Sequence, residues 1–126
     1  MTILHSIDED KGIVLTTWIG DVKDSELIPA YKKLYEDGKW KPGFHEIVDM
    51  RNAGLNTISN EGLHELHMLV RSYTEGKCDG FKSILVASDE IAHEIAIKYQ
   101  SFSEDVLEEV SVFEGLQEAY EFLRTL

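Results

Sequence analysis

The sequence predicts an α/β domain in which a β-hairpin is followed by a series of strand–helix units. Two observations support this class. Two stretches rich in β-branched residues flank a short turn near the start of the chain. After them, short apolar stretches alternate with segments whose apolar residues recur at helical spacing. Strands that alternate with helices favour parallel pairing and right-handed crossovers. We therefore expect a five-stranded, mainly parallel sheet with four helices, in one domain that spans residues 1–126.

The hairpin is predicted from Thr2–Ser6 and Ile13–Ile19, which flank the polar turn Asp8–Gly12. A short turn that contains Gly between two such stretches is typical of a β-hairpin, so the first strand should run antiparallel to the second. Asp24 or Ser25 should cap the first helix, and a start near Ser25 is favoured because Pro29 is tolerated only in a first turn. Its predicted buried stripe comprises Leu27, Ile28, Tyr31, Leu34 and Tyr35.

The stretch around which the chain is organised runs from His45 to Leu66. It contains a predicted strand at Glu46–Met50, a turn at Arg51–Asn56 and a helix that Ser59 caps. Open α/β sheets place ligands and partner contacts where a strand's carboxyl end leads to a helix N-terminus. The segment 49–62 is therefore the candidate functional edge. The helix that follows has the apolar stripe Leu63, Leu66, Leu69, Val70 and Tyr73.

The remaining elements are a strand at Phe81–Ala87, a helix capped by Ser88 or Asp89, a strand at Val110–Phe113 and a final helix. Periodic apolar residues define the two helix faces, Ile91, Ala92, Ile95, Tyr99 and Phe102 for the third and Leu116, Ala119, Tyr120 and Leu123 for the fourth.

Composition narrows the class of partner. The 126 residues carry a net charge of −12, which argues against binding to nucleic acid or to an anionic membrane. Residues 1–63 hold 7 basic and 11 acidic side chains, and residues 64–126 hold 5 and 13, so the second half is the more acidic. This acidity suits either a docking face for a basic partner or a solvated surface, and we favour the solvated surface. We expect a cytoplasmic protein, because Cys78 is the single cysteine and no signal peptide or membrane span is evident.

Catalytic and metal-binding patterns are weak. His64 and His67 share a helix face near Glu61 and Glu65, but zinc needs three or four converging ligands. No nucleophile elbow, glycine-rich phosphate loop or second cysteine accompanies them. We therefore expect no metal, no cofactor and no catalytic residues, so the chain should not be an enzyme. An enzymatic function would have only His64, His67 and Asp49 as candidate catalytic residues, and it is the weakest of the possibilities.

The hairpin, the four strand–helix turns and the closing segment Val112–Leu123, with the pattern V-F-E-G-L-x-E-A-x-x-F-L, resemble the SpoIIAA-like branch of the STAS superfamily. The resemblance implies a small cytoplasmic α/β module that is usually not an enzyme. In anti-sigma factor antagonists of this superfamily, a strand that ends in Asp leads to a helix start at which a serine is phosphorylated. Asp49 matches that strand end and Ser59–Leu63 partly matches the helix start. Asn60 stands at the position aligned with the phosphorylated serine, with Thr57 and Ser59 as nearby hydroxyls.

We therefore predict a regulatory or binding module that contacts a protein partner through the turn. A second copy of the chain is a further candidate partner. A charge added by Ser59→Asp should change stability by no more than about 1 kcal/mol, because anions suit a helix N-terminus. The alternative is a carrier of a small apolar ligand in a Sec14-like pocket lined by Trp18, Tyr31, Trp40, Phe44 and Tyr99. The predicted partner-binding residues are Asp49, Arg51, Asn56, Thr57, Ser59, Asn60 and Glu61, with Trp40 and Phe44 widening the edge.

Overall fold

A computed structural model describes residues 2–74, 82–102 and 109–125, and these residues form the predicted hairpin and strand–helix units. The element order matches the prediction throughout. The elements are β1 (Ile3–Asp8), β2 (Ile13–Asp21), α1 (Asp24–Tyr35), β3 (His45–Gly54), α2 (Asn60–Thr74), β4 (Lys82–Val86), α3 (Glu90–Ser101), β5 (Glu109–Phe113) and α4 (Leu116–Arg124).

The five strands lie side by side in chain order. β1 is antiparallel to β2, with Ile3 opposite Trp18, and the other neighbours are parallel. α1, α2 and α3 pack on one face, where Trp18, Leu27 and Leu63 belong to the larger core. α4 packs on the opposite face over a smaller core of Ile47, Ile84, Val86, Ala119 and Leu123.

β3 is longer than predicted and continues to Gly54. Thr17 is paired with Asp49, but Ile19 is paired with Asn52, so β3 carries one extra residue at a bulge. The stretch after Met50 was expected to be a turn because Asn and Gly favour turns. The prediction was wrong there, since pairing with β2 outweighs that local preference. The turn that precedes α2 is confined to residues 55–59.

The helix boundaries confirm part of the prediction. Asp89 caps α3, and its side chain accepts a hydrogen bond from the backbone N–H of Ala92 at 2.8 Å. The prediction that Asp24 or Ser25 caps α1 was wrong, because the N-cap is Lys23 and the Asp24 side chain accepts hydrogen bonds from Ser59 instead. Pro29 is therefore the sixth helical residue and lies beyond the first turn. The predicted core position of Ile91 was wrong, because that side chain is exposed. Phe81 and Cys78 lie outside the described residues.

Candidate functional site

The turn at residues 55–59 lies at the end of the sheet where the parallel strands finish, called here the carboxyl end. α1, α2 and α3 all begin at this end, because each of them follows a strand that runs towards it. Backbone hydrogen bonds fix the turn. The N–H of Ile58 donates to the carbonyl of Leu55 at 3.2 Å, and the N–H of Val22 donates to that of Gly54 at 3.0 Å. The Thr57 hydroxyl also donates to the Val22 carbonyl at 3.3 Å, so the turn is tied to the β2–α1 connection.

Asp49 and Arg51 form a bidentate ion pair beside the β3 bulge. Nε of Arg51 lies 2.8 Å from one carboxylate oxygen, and Nη2 lies 2.9 Å from the other. The backbone N–H of Arg51 donates to the same carboxylate at 3.1 Å. The hydrogen bonds from the guanidinium hold the pKa of Asp49 below its usual value, although burial opposes the shift. The pair therefore keeps a nearly buried Asp49 ionised and fixes the direction of an exposed arginine.

A second polar contact joins the first turns of α1 and α2. The Ser59 Oγ accepts a hydrogen bond from the N–H of Gly62 at 3.0 Å, which confirms Ser59 as the N-cap. The Asp24 carboxylate accepts from the Ser59 hydroxyl at 2.5 Å and from the Ser59 N–H at 3.0 Å. This arrangement, the Asp24–Ser59 clamp, joins two helix starts that are 35 positions apart in the chain.

Gly62 makes the clamp sterically feasible. A Cβ built on Gly62 would lie 2.3 Å from Oδ1 of Asp24, a distance that no side chain accommodates without displacing the carboxylate. Gly62 occupies the third position of α2, where a capping-box glutamate would stand. Asp24 instead supplies a carboxylate from another helix. Sequence patterns missed Asp24 as a site residue, and the glycine inside the first turn of α2 was the available signal.

The clamp changes the expectation for Ser59→Asp. The sequence suggests that the helix N-terminus is free to receive an anion. In the structure, the Asp24 carboxylate already lies beside Ser59 and accepts both of its donors. A second carboxylate there would face the first at short range, which is unfavourable. Ser59→Asp is therefore no longer expected to leave stability nearly unchanged.

Most of the predicted contact residues share one surface. Asp49 is buried. The other predicted residues of segment 49–62 are exposed at the carboxyl end, namely Arg51, Asn56, Thr57, Ser59, Asn60 and Glu61. Trp40 and Phe44 do not widen this surface, so that part of the prediction was wrong. They lie between α1 and β3, which places them at the opposite end of the sheet, called here the amino end. There, the Trp40 ring packs edge-on against Tyr35, with 4.8 Å between centroids.

The aromatic residues predicted to line a carrier pocket are divided in the same way. Trp18, Tyr31 and Tyr99 line a cavity of about 30 Å³ between the sheet and the helices, and Trp40 and Phe44 do not line it. That volume suits one or two water molecules. Pockets for drug-sized ligands hold roughly 300 to 1,000 Å³. A lipid-like ligand would therefore require the cavity to enlarge about tenfold.

The polar side of that cavity is a buried hydrogen-bond network centred on Glu46, which is only 3% exposed. Its carboxylate accepts from the Thr16 hydroxyl at 3.4 Å and from the Tyr35 hydroxyl at 3.3 Å. Burial, with the charge of Glu46 as the next cause, raises the pKa of Tyr31 well above its usual value of 10.0. The network is part of the interior and links the sheet to α1. The sequence does not reveal this network, because the strand that contains Glu46 is predicted from its apolar residues and gives no sign that Glu46 is buried.

The histidines on α2 contact aromatic rings. The His64 ring lies 5.4 Å from that of Phe102, and the His67 ring lies 5.7 Å from that of Tyr99. Burial lowers the pKa of His67, and the charge of Arg71 contributes in the same direction. Within residues 2–74, 82–102 and 109–125, no three His, Cys, Asp or Glu side chains converge as metal ligands would. In the same ranges, no helix is long and apolar enough to cross a membrane.

Comparison with known proteins adds the fold relationship. No family model and no curated protein matches the chain. Its structure is similar to the crystal structure of an uncharacterised DUF3478-family protein from Shewanella loihica PV-4, described as having a SpoIIAA-like fold. The similarity covers 96% of this chain and 91% of the other, with a TM-score of 0.58 and 12% sequence identity. The fold is SpoIIAA-like. At this identity, the similarity extends to the SpoIIAA-like architecture and not to individual residues.

Proposed function

We propose that the protein is a non-enzymatic, STAS-type binding module that contacts a protein partner through its carboxyl end. The observation that carries the proposal is the exposed turn, which hydrogen bonds tie to neighbouring elements. Asn56, Thr57 and Asn60 stand on a segment that the Asp24–Ser59 clamp joins to α1 and that the Thr57–Val22 hydrogen bond joins to the β2–α1 connection. A surface that is already ordered loses little conformational entropy when it binds, which favours recognition.

The surface is polar, and that suits a regulated contact. Amide and hydroxyl side chains predominate, with Arg51 and Glu61 as exposed charges of opposite sign. Contacts of this composition gain specificity from hydrogen bonds rather than from apolar area. An apolar-ligand carrier is the weaker proposal, because the small cavity would have to enlarge before it held a ligand.

Site-specific photocrosslinking in the native host tests the proposal. A photoreactive residue is placed at Asn56 or Asn60, and the matched control position is Lys41, which is exposed at the amino end. We expect one protein to be crosslinked from both turn positions and not from the control. A partner captured only from Lys41, or no partner from any position, would contradict the proposed edge.

The captured partner then allows a direct affinity measurement. Asn56→Ala combined with Asn60→Ala should weaken binding by at least about tenfold, since each lost hydrogen bond typically costs about 1 kcal/mol and about 1.4 kcal/mol corresponds to tenfold. Lys41→Ala should leave the affinity unchanged. Equal affinities for wild type and the double variant would exclude the turn as the binding surface.

A further inference from the structure

β1 forms one edge of the sheet, and half of its backbone groups face outwards. The N–H of Ile19 donates to the carbonyl of Thr2 at 2.8 Å, which identifies Thr2 and Ile19 as a hydrogen-bonded pair. In an antiparallel ladder such pairs alternate with pairs whose backbone groups point away from each other. The backbone groups of Ile3, His5 and Ile7 therefore point away from β2, towards the open edge.

This edge lacks the features that usually protect a sheet from pairing. Edge strands commonly carry lysine, proline or a bulge. The stretch from Ile3 to Ile7 has none of these, and its pairing with β2 is regular. At the other edge of the sheet, the side chain of Gln100 donates to the carbonyl of Val110 at 2.8 Å and covers part of β5.

We propose that β1 pairs with β1 of a second copy of this chain, antiparallel and about a two-fold axis at His5. In that register His5 faces His5, and Ile3 of each copy faces Ile7 of the other. The outward-pointing backbone groups of Ile3, His5 and Ile7 in one copy then form hydrogen bonds with those of the other copy. The pattern is self-complementary, as an interface between identical subunits requires. The two sheets become continuous across the axis.

The side chains on the α4 side fit the same register. Leu4 is 46% exposed on the part of the sheet that α4 leaves uncovered. In the proposed pair, Leu4 lies opposite Ser6 of the other copy, and the two Leu4 side chains are diagonal neighbours. Diagonal neighbours of this length are within contact distance across an antiparallel pair. Pairing therefore removes an exposed leucine from water.

The charges beside β1 also match a second copy. A groove of about 550 Å³ between β1 and α1 includes Lys33, Asp37 and Lys39, and the adjoining groove includes Glu26. These charges cancel locally, although the whole chain carries −12. Nitrogen Nε2 of His5 lies 3.0 Å from the carbonyl oxygen of Ala30, so Ala30 is close to the proposed axis. A two-fold axis there brings Glu26 of one copy towards Lys33 of the other.

Sedimentation velocity over a concentration series tests the association. The untagged wild type should shift from a mass near 14.4 kDa to twice that value as its concentration rises. Leu4→Lys should remain a monomer, because it adds two like charges beside the axis. The matched control is Ile97→Lys, at a side chain 44% exposed on α3, and it should dimerise as the wild type does. A wild type that stays monomeric at all concentrations, or a dimer that survives Leu4→Lys, would overturn the proposal.

Disulfide trapping tests the register without relying on a disruptive variant. Leu4→Cys and Ser6→Cys are made separately in a Cys78→Ser background. The proposed pairing places these positions opposite each other as a non-hydrogen-bonded pair, with Cα atoms about 4.5 Å apart, a separation that a disulfide spans. The mixture should therefore crosslink at least several-fold faster than either variant alone. Equal rates in all three samples, or no crosslink in the mixture, would overturn the register and the proposed interface.

Discussion

At the carboxyl end of the sheet the connections are held by charged hydrogen bonds, whereas at the amino end they are held by aromatic packing. The carboxyl end depends on the Asp24–Ser59 clamp and the Asp49–Arg51 pair. At the amino end, Tyr35 and Tyr73 stack with 5.0 Å between centroids, and Trp40 packs edge-on against both. Added charge at the carboxyl end should therefore lower the stability of the protein, and so should a loss of side-chain volume at the amino end.

The largest expected effect comes from removing volume at the amino end. Trp40→Ala deletes a half-buried ring that contacts Tyr35 and Tyr73. Full burial of a tryptophan is worth about 3–5 kcal/mol against alanine, so a loss of about 2–3 kcal/mol is expected here. Urea denaturation measures the free energy of unfolding. Trp40→Phe, which keeps an aromatic ring, should lose less than half as much, and equal losses would show that ring packing is not the cause.

Added charge at the carboxyl end should have the next largest effect. Ser59→Asp removes the hydroxyl that donates to Asp24 and places two carboxylates together. A hydrogen bond to a charged group contributes about 1.5–3 kcal/mol. Because Asp is itself a good N-cap, we expect a net loss of about 1–2 kcal/mol. The same urea denaturation measures it, and Ser59→Asp in an Asp24→Asn background should recover at least half of the loss. No recovery would mean that Asp24 is not the source.

The contrast between the two ends also shows what could be predicted from sequence. The Ser59 cap was predicted correctly, and Asp89 was one of the two caps predicted for α3, because each depends on residues within one helical turn. Asp24 was missed as a partner of Ser59, because helix-to-helix contacts across 35 positions leave no local pattern. The position of Trp40 could have been inferred, since a connection from a helix back to a parallel strand lies at the amino end of the sheet.

A smaller effect, with an unusual sign, is expected at Gly62. Gly→Ala inside a helix normally stabilises by about 1 kcal/mol. Here the added methyl group displaces the Asp24 carboxylate, so Gly62→Ala should be neutral or destabilising. In an Asp24→Ala background the same substitution should stabilise. A double-mutant cycle measured by urea denaturation should give a coupling of about 1 kcal/mol or more, and additive effects would contradict the steric role of Gly62.

The two ends should also respond to acid in different pH windows. At the amino end, Nδ1 of His45 accepts a hydrogen bond from the N–H of Lys82 at 3.2 Å. Burial lowers the pKa of His45 below 6.5, and the charge of Lys82 contributes in the same direction. The unfolded chain therefore takes up this proton first, and stability is lost as the pH falls below about 6.5. The pKa of Asp49 is lowered from 3.8, mainly by hydrogen bonds from Arg51, so the contribution of that carboxyl is lost only below about pH 3.8.

Urea denaturation at a series of pH values separates these windows. His45→Asn keeps an oxygen that can accept from Lys82 but cannot titrate, so its stability should fall less steeply than that of the wild type below pH 6.5. The slope should not vanish, because burial also lowers the pKa of His5 and His67. Arg51→Met should change the pH dependence only in the acid window, since it removes the cation that stabilises ionised Asp49. If His45→Asn follows the wild-type curve throughout, protonation of His45 does not weaken the amino end, and the two ends differ in packing alone.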